Sequence, residues 1–168
     1  LTVTLDPGSW INLGQYHSVT GGFSARNLFI PDNVYIENLQ GGAGSDALTG
    51  NAYDNVLTGG AGNDHLYGGA GADTAVFTGY SSDYTFASSA DGLTVTVTQV
   101  SSGDTDTVTE VETLRFSDGD IAVTHDAQTQ ALNLTAGAGI SAINVTGDNT
   151  VNVNLHNQPP IAVDDAII

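Results

Sequence analysis

Acidic and amide side chains recur at the centre of the chain, each after a glycine-rich segment. Asp46, Asp64 and Asp73 each follow a Gly-Gly-Ala-Gly sequence and one further residue, and Asn55 holds the equivalent place in an intervening segment. Carboxylate oxygens and main-chain carbonyls are the hard oxygen ligands that Ca²⁺ and Mg²⁺ prefer. The residue types and their spacing therefore indicate a cation site built from turns.

These segments are units of a nine-residue repeat. Units begin at Gly41, Gly50, Gly59 and Gly68, and a degenerate unit at residues 32–40 precedes them. Glycine in the first half allows sharp turns and backbone angles that a Cβ forbids. The second half is a predicted three-residue strand. Its inward-facing eighth position is occupied in successive units by Leu39, Leu48, Leu57, Leu66 and Ala75.

Two units are predicted to form one coil of a right-handed parallel β-roll, so residues eighteen apart lie above one another. The seventh and ninth positions, such as His65 and Tyr67, then face outward. The predicted stacked pairs at the sixth position are Asp46 with Asp64, Asn55 with Asp73, and Glu37 with Asn55.

The spacing of coils favours calcium over magnesium. Neighbouring strands lie roughly 4.7–4.9 Å apart, and two oxygens on opposite sides of a calcium ion are about 4.6–5.2 Å apart. Magnesium, at about 2.0–2.1 Å from each oxygen, would draw the coils together. Without metal, stacked carboxylates repel and the small inward side chains do not offset the ordering of the backbone. We therefore expect several calcium ions and a roll that is unfolded without them.

The composition excludes several classes of protein. The 168 residues contain no cysteine, so disulfide frameworks and thiolate metal sites are excluded. A net charge of −17 is unsuited to nucleic acid or anionic lipid and favours cations as partners. No apolar run is long enough to span a membrane. A flexible acidic linker would not keep an apolar residue at every ninth position.

Five segments are expected along the chain. Residues 1–31 are predicted to cap the roll, residues 32–83 to form the calcium-binding roll, and residues 84–126 to form closing β-strands with period-2 alternation. Residues 127–157 are predicted to be a β-rich extension. Residues 158–168 begin with Gln-Pro-Pro and are predicted to link the module to a following domain.

The repeat resembles the calcium-binding nonapeptide of the RTX, or hemolysin-type, family. Beyond the repeat, the segments at residues 6–10, 34–38 and 50–55 are similar in order and spacing to the C-terminal β-roll domain of serralysin-type secreted metalloproteases. This resemblance covers residues 1 to about 80. It implies type I secretion, a location outside the cell or at its surface, and neighbouring domains in a longer bacterial chain.

The resemblance also implies ligand positions. Positions 2, 4 and 6 of one unit share an ion with positions 1, 3 and 6 of the unit two later. The first implied set is Gly42, Gly44, Asp46, Gly59, Ala61 and Asp64. The second is Asn51, Tyr53, Asn55, Gly68, Ala70 and Asp73. The third is Asn33, Tyr35, Glu37, Gly50, Ala52 and Asn55.

The remaining glycines belong to incomplete sets, of which the one that starts from Gly60, Gly62 and Asp64 indicates a fourth ion. Gly60 and Gly62 with Asp64, and Gly69 and Gly71 with Asp73, occupy positions 2, 4 and 6 of the last two units. The coil expected above Asp64 is residues 77–83, which departs from the repeat. Asn55 in place of aspartate lowers the charge of the second and third sets.

The segment at residues 104–120 resembles the strands that close the open end of such rolls. Its last two acids, Asp118 and Asp120, form either a further cation site or an acidic turn between strands. Residues 158–165 resemble the start of tandem β-sandwich repeats in large bacterial surface proteins.

No set of catalytic residues is recognisable, so we expect the module itself to be non-catalytic. This expectation does not extend to the parent protein, which can still be an enzyme. The chain lacks the His-Glu-x-x-His zinc helix and the Gly-x-Ser-x-Gly elbow. Two functions remain open. One is a structural module that folds on calcium after secretion and supports neighbouring domains, and the other is a calcium-dependent polysaccharide- or surface-binding module. Outward aromatics would favour the second, but Tyr53 and Tyr67 are too few for a stacking platform.

Overall fold

Two seven-stranded β-sheets account for most of the protein. The structure is a computed structural model that describes residues 35–147 and 151–155, together with the backbone of three N-terminal strands. The strands are β1 (Thr2–Thr4), β2 (Trp10–His17), β3 (Phe23–Phe29), β4 (Asn38–Gln40), β5 (Ala47–Thr49), β6 (Val56–Thr58), β7 (His65–Tyr67), β8 (Thr74–Val76), β9 (Tyr84–Ser88), β10 (Thr94–Gln99), β11 (Thr105–Thr109), β12 (Thr113–Phe116), β13 (Gly119–Asp126), β14 (Ala131–Ala136), β15 (Asn144–Val145) and β16 (Val151–Leu155). Within the described residues there is no α-helix, only a 3-10 turn at Ser81–Asp83.

The repeat units alternate between the two sheets. Sheet I has the order β1-β5-β7-β11-β10-β9-β15, and sheet II has the order β16-β14-β13-β12-β8-β6-β4. Each short strand is followed by a glycine turn that carries the chain to the other sheet, so every second strand pairs in parallel. Leu48 lies beside Leu66 in sheet I and Leu57 beside Ala75 in sheet II. This register confirms the eighteen-residue stacking and the parallel β-roll.

The parallel roll continues without interruption into antiparallel strands. In sheet I, β7 pairs in parallel with β11, which is antiparallel to β10. In sheet II, β8 pairs in parallel with β12, which is antiparallel to β13. Strands β11 and β12 therefore form a further coil of the roll, although β9 and β10 intervene in the sequence between β8 and β11.

One hydrophobic core joins the two sheets. The eighth-position residues Leu48, Leu57, Leu66 and Ala75 are buried in the same cluster as Val95 and Leu114 from the antiparallel strands. Their burial follows from the period-2 direction of side chains in short strands. The roll and the antiparallel strands are consequently held by the same apolar contacts.

Residues 77–83 do not form the coil above Asp64, so that expectation is wrong. Phe77 runs beside β12, where its N–H donates to the Arg115 carbonyl, and its ring stacks on Phe116 at a centroid distance of 5.3 Å. The segment has no repeat-type glycine turn, and burial of the aromatic ring draws it into sheet II. The place beside β7 is taken by β11 instead.

The C-terminal strands make one more parallel turn around the sheets. Strand β14 lies in sheet II, β15 pairs in parallel with β9 in sheet I, and β16 returns to pair in parallel with β14. These strands fall within the expected β-rich extension. The side chains of the expected cap at residues 1–31 and all of the expected linker at residues 158–168 lie outside the described residues.

Candidate metal centre

The sixth positions of alternate units form a ladder of acidic residues beside sheet I. Asp46 N–H donates to Asp64 Oδ1 at 2.8 Å, and Asp64 N–H donates to Asp106 Oδ1 at 2.8 Å. In the reverse direction, His65 N–H donates to the Asp46 carbonyl at 2.8 Å. Each carboxylate thus contacts the main chain of the coil before it, one strand spacing away.

A second ladder runs beside sheet II. Asn55 N–H donates to Asp73 Oδ1 at 2.7 Å, and Asp73 N–H donates to Glu112 Oε2 at 2.7 Å. Thr74 N–H donates to the Asn55 carbonyl at 2.8 Å, the bond equivalent to that of His65. Both ladders extend past the repeats because Asp106 and Glu112 occupy the next sixth positions.

The glycines are required where consecutive turns approach. A Cβ on Gly60 would lie 1.9 Å from the Gly42 carbonyl oxygen, and a Cβ on Gly69 would lie 2.5 Å from the Asn51 carbonyl oxygen. Both glycines also have positive φ, +111° and +103° respectively. The turns therefore stack with main-chain carbonyls at their interface.

Two buried carboxylate oxygens lack a hydrogen-bond partner. Asp64 Oδ2 and Asp73 Oδ2 accept no hydrogen bond, although the two residues are only 1% and 0% exposed. In the two units before them, the equivalent oxygens are satisfied. Gly42 N–H donates to Asp46 Oδ2 at 2.6 Å, and Asn51 N–H donates to Asn55 Oδ1 at 2.8 Å. Since a buried anion without a partner is costly, the unpaired oxygens fit a bound cation.

Burial makes the ionised state of these carboxylates unfavourable. It raises the pKa of Asp64, with the charges of Asp46 and Asp104 adding to the effect and the hydrogen bond from Asp46 N–H opposing it. Burial also raises the pKa of Asp73 to about 6 and that of Asp106 to about 6. A cation between the turns would offset this cost by neutralising the charge.

Side chains alone do not complete a metal site. Across residues 35–147 and 151–155, no group of three or more His, Cys, Asp or Glu side chains is placed to hold an ion. Main-chain carbonyls of the glycine turns, which are among the oxygen ligands that calcium accepts, would have to supply most of the ligands of an ion held there. The chemistry of the donor set fits calcium.

The described members of the three predicted ligand sets lie in stacked turns, and their role as ligands stays a prediction. Members of the first set, from Gly42 to Asp46 and from Gly59 to Asp64, face each other, with Ala61 N–H donating to the Gly42 carbonyl at 3.0 Å. Members of the second set are joined by Ala70 N–H, which donates to the Asn51 carbonyl at 3.1 Å. In the third set, Asn33 lies outside the described residues, and Tyr35 and Tyr53 are in ring contact on the surface.

Asn55 differs from the aspartates in its contacts. Its Nδ2 donates to the carbonyls of Ile36 and Glu37 at 3.1 and 3.4 Å, while its Oδ1 accepts from Asn51 N–H. Both ends of the amide are thus satisfied without metal. The assignment of Asn55 as a ligand of the second and third sets stays a prediction.

Three acidic residues of these ladders are absent from the predicted ligand sets. Asp106 and Glu112 continue the ladders, and Asp104 Oδ2 accepts from Gly62 N–H at 3.4 Å. A signal for two of them exists in the sequence. Asp106-Thr-Val-Thr and Glu112-Thr-Leu-Arg repeat the pattern that ends the nonapeptides, in which an acid or asparagine is followed by any residue, an apolar residue and any residue.

The acids at the turn between β12 and β13 have protein partners. Asp118 accepts from Ser81 N–H at 2.9 Å and from Ser81 Oγ at 2.8 Å. Asp120 forms a two-pronged ion pair with Arg115, with both nitrogen–oxygen distances 3.0 Å. These contacts favour the acidic turn over a further cation site.

Comparison with known protein families identifies the repeat. Residues 40–75 match the model of the RTX calcium-binding nonapeptide repeat in four copies. Residues 40–75, which carry the part of each ladder that lies within the repeats, are therefore made of RTX calcium-binding repeats, as the sequence predicted.

Other comparisons add little to this assignment. No curated protein matches the chain significantly. Among solved structures, the extracellular lipase LipA from Serratia marcescens is similar, with 18% identity and a TM-score of 0.48. The likeness covers 69% of this chain and 22% of the lipase chain, so the chain spans about a fifth of that protein. In the part of the chain that the structure describes, no helix is long and apolar enough to cross a membrane.

The close approach at Gly60 predicts a specific loss of stability. Gly60→Ala places a methyl group against the Gly42 carbonyl and also strains the backbone. Gly147→Ala is a matched control, because Gly147 has φ +94° and nothing within 4 Å of an added Cβ. We expect Gly60→Ala to lower the free energy of unfolding by about 1–3 kcal/mol more than the control. Urea unfolding at saturating calcium measures both, and equal losses would show that the turns are not in contact.

Proposed function

We propose that the chain is a calcium-binding module that folds when calcium occupies the stacked turns and thereby supports neighbouring domains of a secreted protein. The observation that carries the proposal is the pair of buried carboxylates, Asp64 and Asp73, each with one oxygen lacking any hydrogen-bond partner. The match to calcium-binding repeats over residues 40–75 supports calcium as the cation.

Energetic balance supports folding that depends on the cation. Each repeat strand has three residues and buries one side chain, Leu or Ala, at its centre. Burial of one leucine offsets only part of the conformational entropy lost when the nine residues of a unit become ordered. Metal-free repeats also retain the repulsion between Asp46, Asp64 and Asp106. Ions that bind only the folded roll shift the equilibrium by mass action.

Calcium dependence suits a protein that works outside the cell. Extracellular modules hold calcium in the 10⁻⁴–10⁻³ M range, so a roll of this affinity stays loose where calcium is scarce and orders where it is abundant. Type I secretion, a location outside the cell or at its surface, and a role beside other domains follow from the resemblance to RTX and serralysin-type proteins. The net charge of −17 supports calcium-dependent folding, because repulsion between like charges opposes an ordered state unless cations neutralise part of the charge.

A calcium-dependent polysaccharide-binding module is the second candidate. Tyr35 and Tyr53 favour it, since the two residues are 51% and 46% exposed and their ring centroids lie 4.3 Å apart. Aromatic faces bind sugar rings by apolar contact, but these rings are tilted by 59° and form a small surface. Binding to a glycan array in calcium that is lost in Tyr53→Ala would establish this candidate, and we expect no such binding from a structural module.

Calcium titration tests the proposed function. Far-ultraviolet circular dichroism of the full chain should change from a coil spectrum in chelator to a β-sheet spectrum in millimolar calcium. Asp64→Asn keeps an oxygen to accept from Asp46 N–H but replaces the unpaired oxygen with an amide donor. We expect the calcium midpoint of this variant to rise at least tenfold, since charged-group interactions contribute about 1.5–3 kcal/mol.

Asp91→Asn is the matched control, because Asp91 lies in an exposed turn between β9 and β10 and contacts Ser89. Its midpoint should equal that of the unmodified chain. A chain whose β-sheet spectrum is already complete in chelator would contradict the proposal, and so would equal midpoints for Asp64→Asn and Asp91→Asn.

A further inference from the structure

Both sheets end in a short strand at the C-terminal side of the protein. The chain runs from β14 in sheet II to β15 in sheet I and returns to β16 in sheet II, where β16 pairs in parallel with β14. Among the described residues, β15 is the last strand of sheet I and β16 is the last strand of sheet II. The chain that follows β16 therefore starts at the point where this winding would return to sheet I beside β15.

Two valines at this end face the core and are nevertheless exposed. Val145 is aligned with the buried Phe86 of β9, and Val153 is aligned with the buried Leu134 of β14. Aligned residues of paired strands point to the same side of a sheet, so both valines face inward. Val145 is 36% exposed and Val153 is 41% exposed. Within the described part of the chain, the core is therefore open at this end.

The free edges of β15 and β16 lack the features that usually prevent pairing. Edge strands of natural proteins commonly carry a charged residue, a proline or a bulge that blocks the addition of another strand. The sequences of these two strands, Asn-Val and Val-Asn-Val-Asn-Leu, contain no charged residue and no proline. The open edge thus remains competent to accept a further strand.

The sequence after β16 repeats the apolar pattern of β15. Ile143-Asn-Val145 recurs as Ile161-Ala-Val163, eighteen residues later, in a segment outside the described residues. Eighteen residues is also the separation of stacked strands in the roll, where β5 pairs with β7. At this register Ile161 would lie beside Ile143 and Val163 beside Val145, so both apolar pairs would face the core.

The alternative register is unfavourable, and the connection has a suitable length. A separation of nineteen residues, as between β14 and β16, would place Asp164 beside Val145 and turn a carboxylate toward the core. Residues 146–150 connect β15 to β16, and residues 156–160 would form an equally long connection from β16 to Ile161. This second connection ends with two prolines, which lack the N–H that a paired strand donates.

A second copy of the chain is a poorer occupant of the open end. It would carry the same net charge of −17, and repulsion between like-charged molecules opposes their association. The segment Ile161–Val163 has no charge. It is also tethered to β16 by five residues, which gives it a high effective concentration at the edge of β15.

We propose that residues 161–163 add a parallel strand to the free edge of β15 and cover Val145 and Val153. The inference goes beyond the proposed function and does not rest on it. The linker expected at residues 158–168 would then start only after residue 163.

A strand in this place would change how the module holds the part of a longer chain that follows. A flexible linker lets neighbouring domains move independently. A strand that is hydrogen bonded to β15 would instead fix the point and the direction in which the chain leaves sheet I. The following domain would then be oriented by the same sheets that continue into the calcium-binding roll.

Pairs of engineered cysteines test the register, because the chain has no cysteine of its own. Asn144 is on the outer side of β15, and the proposal places Ala162 beside it at about 4.8 Å, within the Cα separation of about 4.4–6.8 Å that a disulfide spans. The control pair is Asn144→Cys with Ala166→Cys, four residues further along, about 13 Å away in an extended strand. In millimolar calcium and a glutathione buffer, Asn144→Cys with Ala162→Cys should form an intramolecular disulfide at least tenfold faster than the control pair.

Three results of this experiment would overturn the proposal. Equal rates for the two cysteine pairs would show that the segment is a flexible tail. Absence of the disulfide between positions 144 and 162 would show that the segment lies elsewhere, for example within a following domain. A disulfide between two molecules, seen as a doubled mass without reductant, would assign the open end to a second copy of the chain.

Single substitutions give a second test that needs no cysteine. Val163→Asp would turn a carboxylate toward the core, whereas Ala162→Asp would face solvent and is the matched control. Amide hydrogen exchange in β15 and β16 should be at least tenfold faster in Val163→Asp than in the unmodified chain and unchanged in Ala162→Asp. Exchange in β9 and β14 shows whether the sheets of each variant remain folded. Equal exchange of β15 and β16 in the two variants would contradict the proposal.

Discussion

The structure depends on acidic side chains that are stacked one strand spacing apart. Asp46, Asp64 and Asp106 follow one another along sheet I, and each is hydrogen bonded to the main chain of its neighbour. The same backbone pairing that aligns the apolar residues Leu48, Leu66 and Val108 also aligns these acids. Formation of the hydrophobic core therefore also brings the like charges of these acids together. A cation between the turns would offset the repulsion between them.

Glycine makes this arrangement possible at the level of the backbone. Gly60 and Gly69 lie against carbonyls of the preceding coil at distances that leave no room for a side chain. With side chains excluded, the turns present carbonyl and carboxylate oxygens to each other. The repeat therefore combines small residues in the turn with one acid or asparagine at the sixth position of each unit, and we propose that an ion bound there takes more of its ligands from the main chain than from side chains.

Much of this was predictable because the nine-residue period fixes both the strand direction and the stacking. The apolar eighth position predicted that Leu48, Leu57 and Leu66 are buried. The length of two units, which form one coil, predicted which acids lie next to each other in the stack. The place of β11 and β12 was not predictable from the period, since β9 and β10 interrupt it and pairing between distant strands depends on tertiary contacts. Residues 77–83 also departed from expectation because burial of Phe77 among Tyr84 and Phe116 outweighs continuation of the coil.

A crystal structure of the chain grown in millimolar calcium, with diffraction data collected at a wavelength where calcium scatters anomalously, tests the central claim most directly. The account predicts an anomalous peak between the turns that end at Asp46 and Asp64, with oxygens of both turns within about 2.3–2.6 Å of it. A well-ordered roll with the same stacking and no peak between these turns would contradict the account.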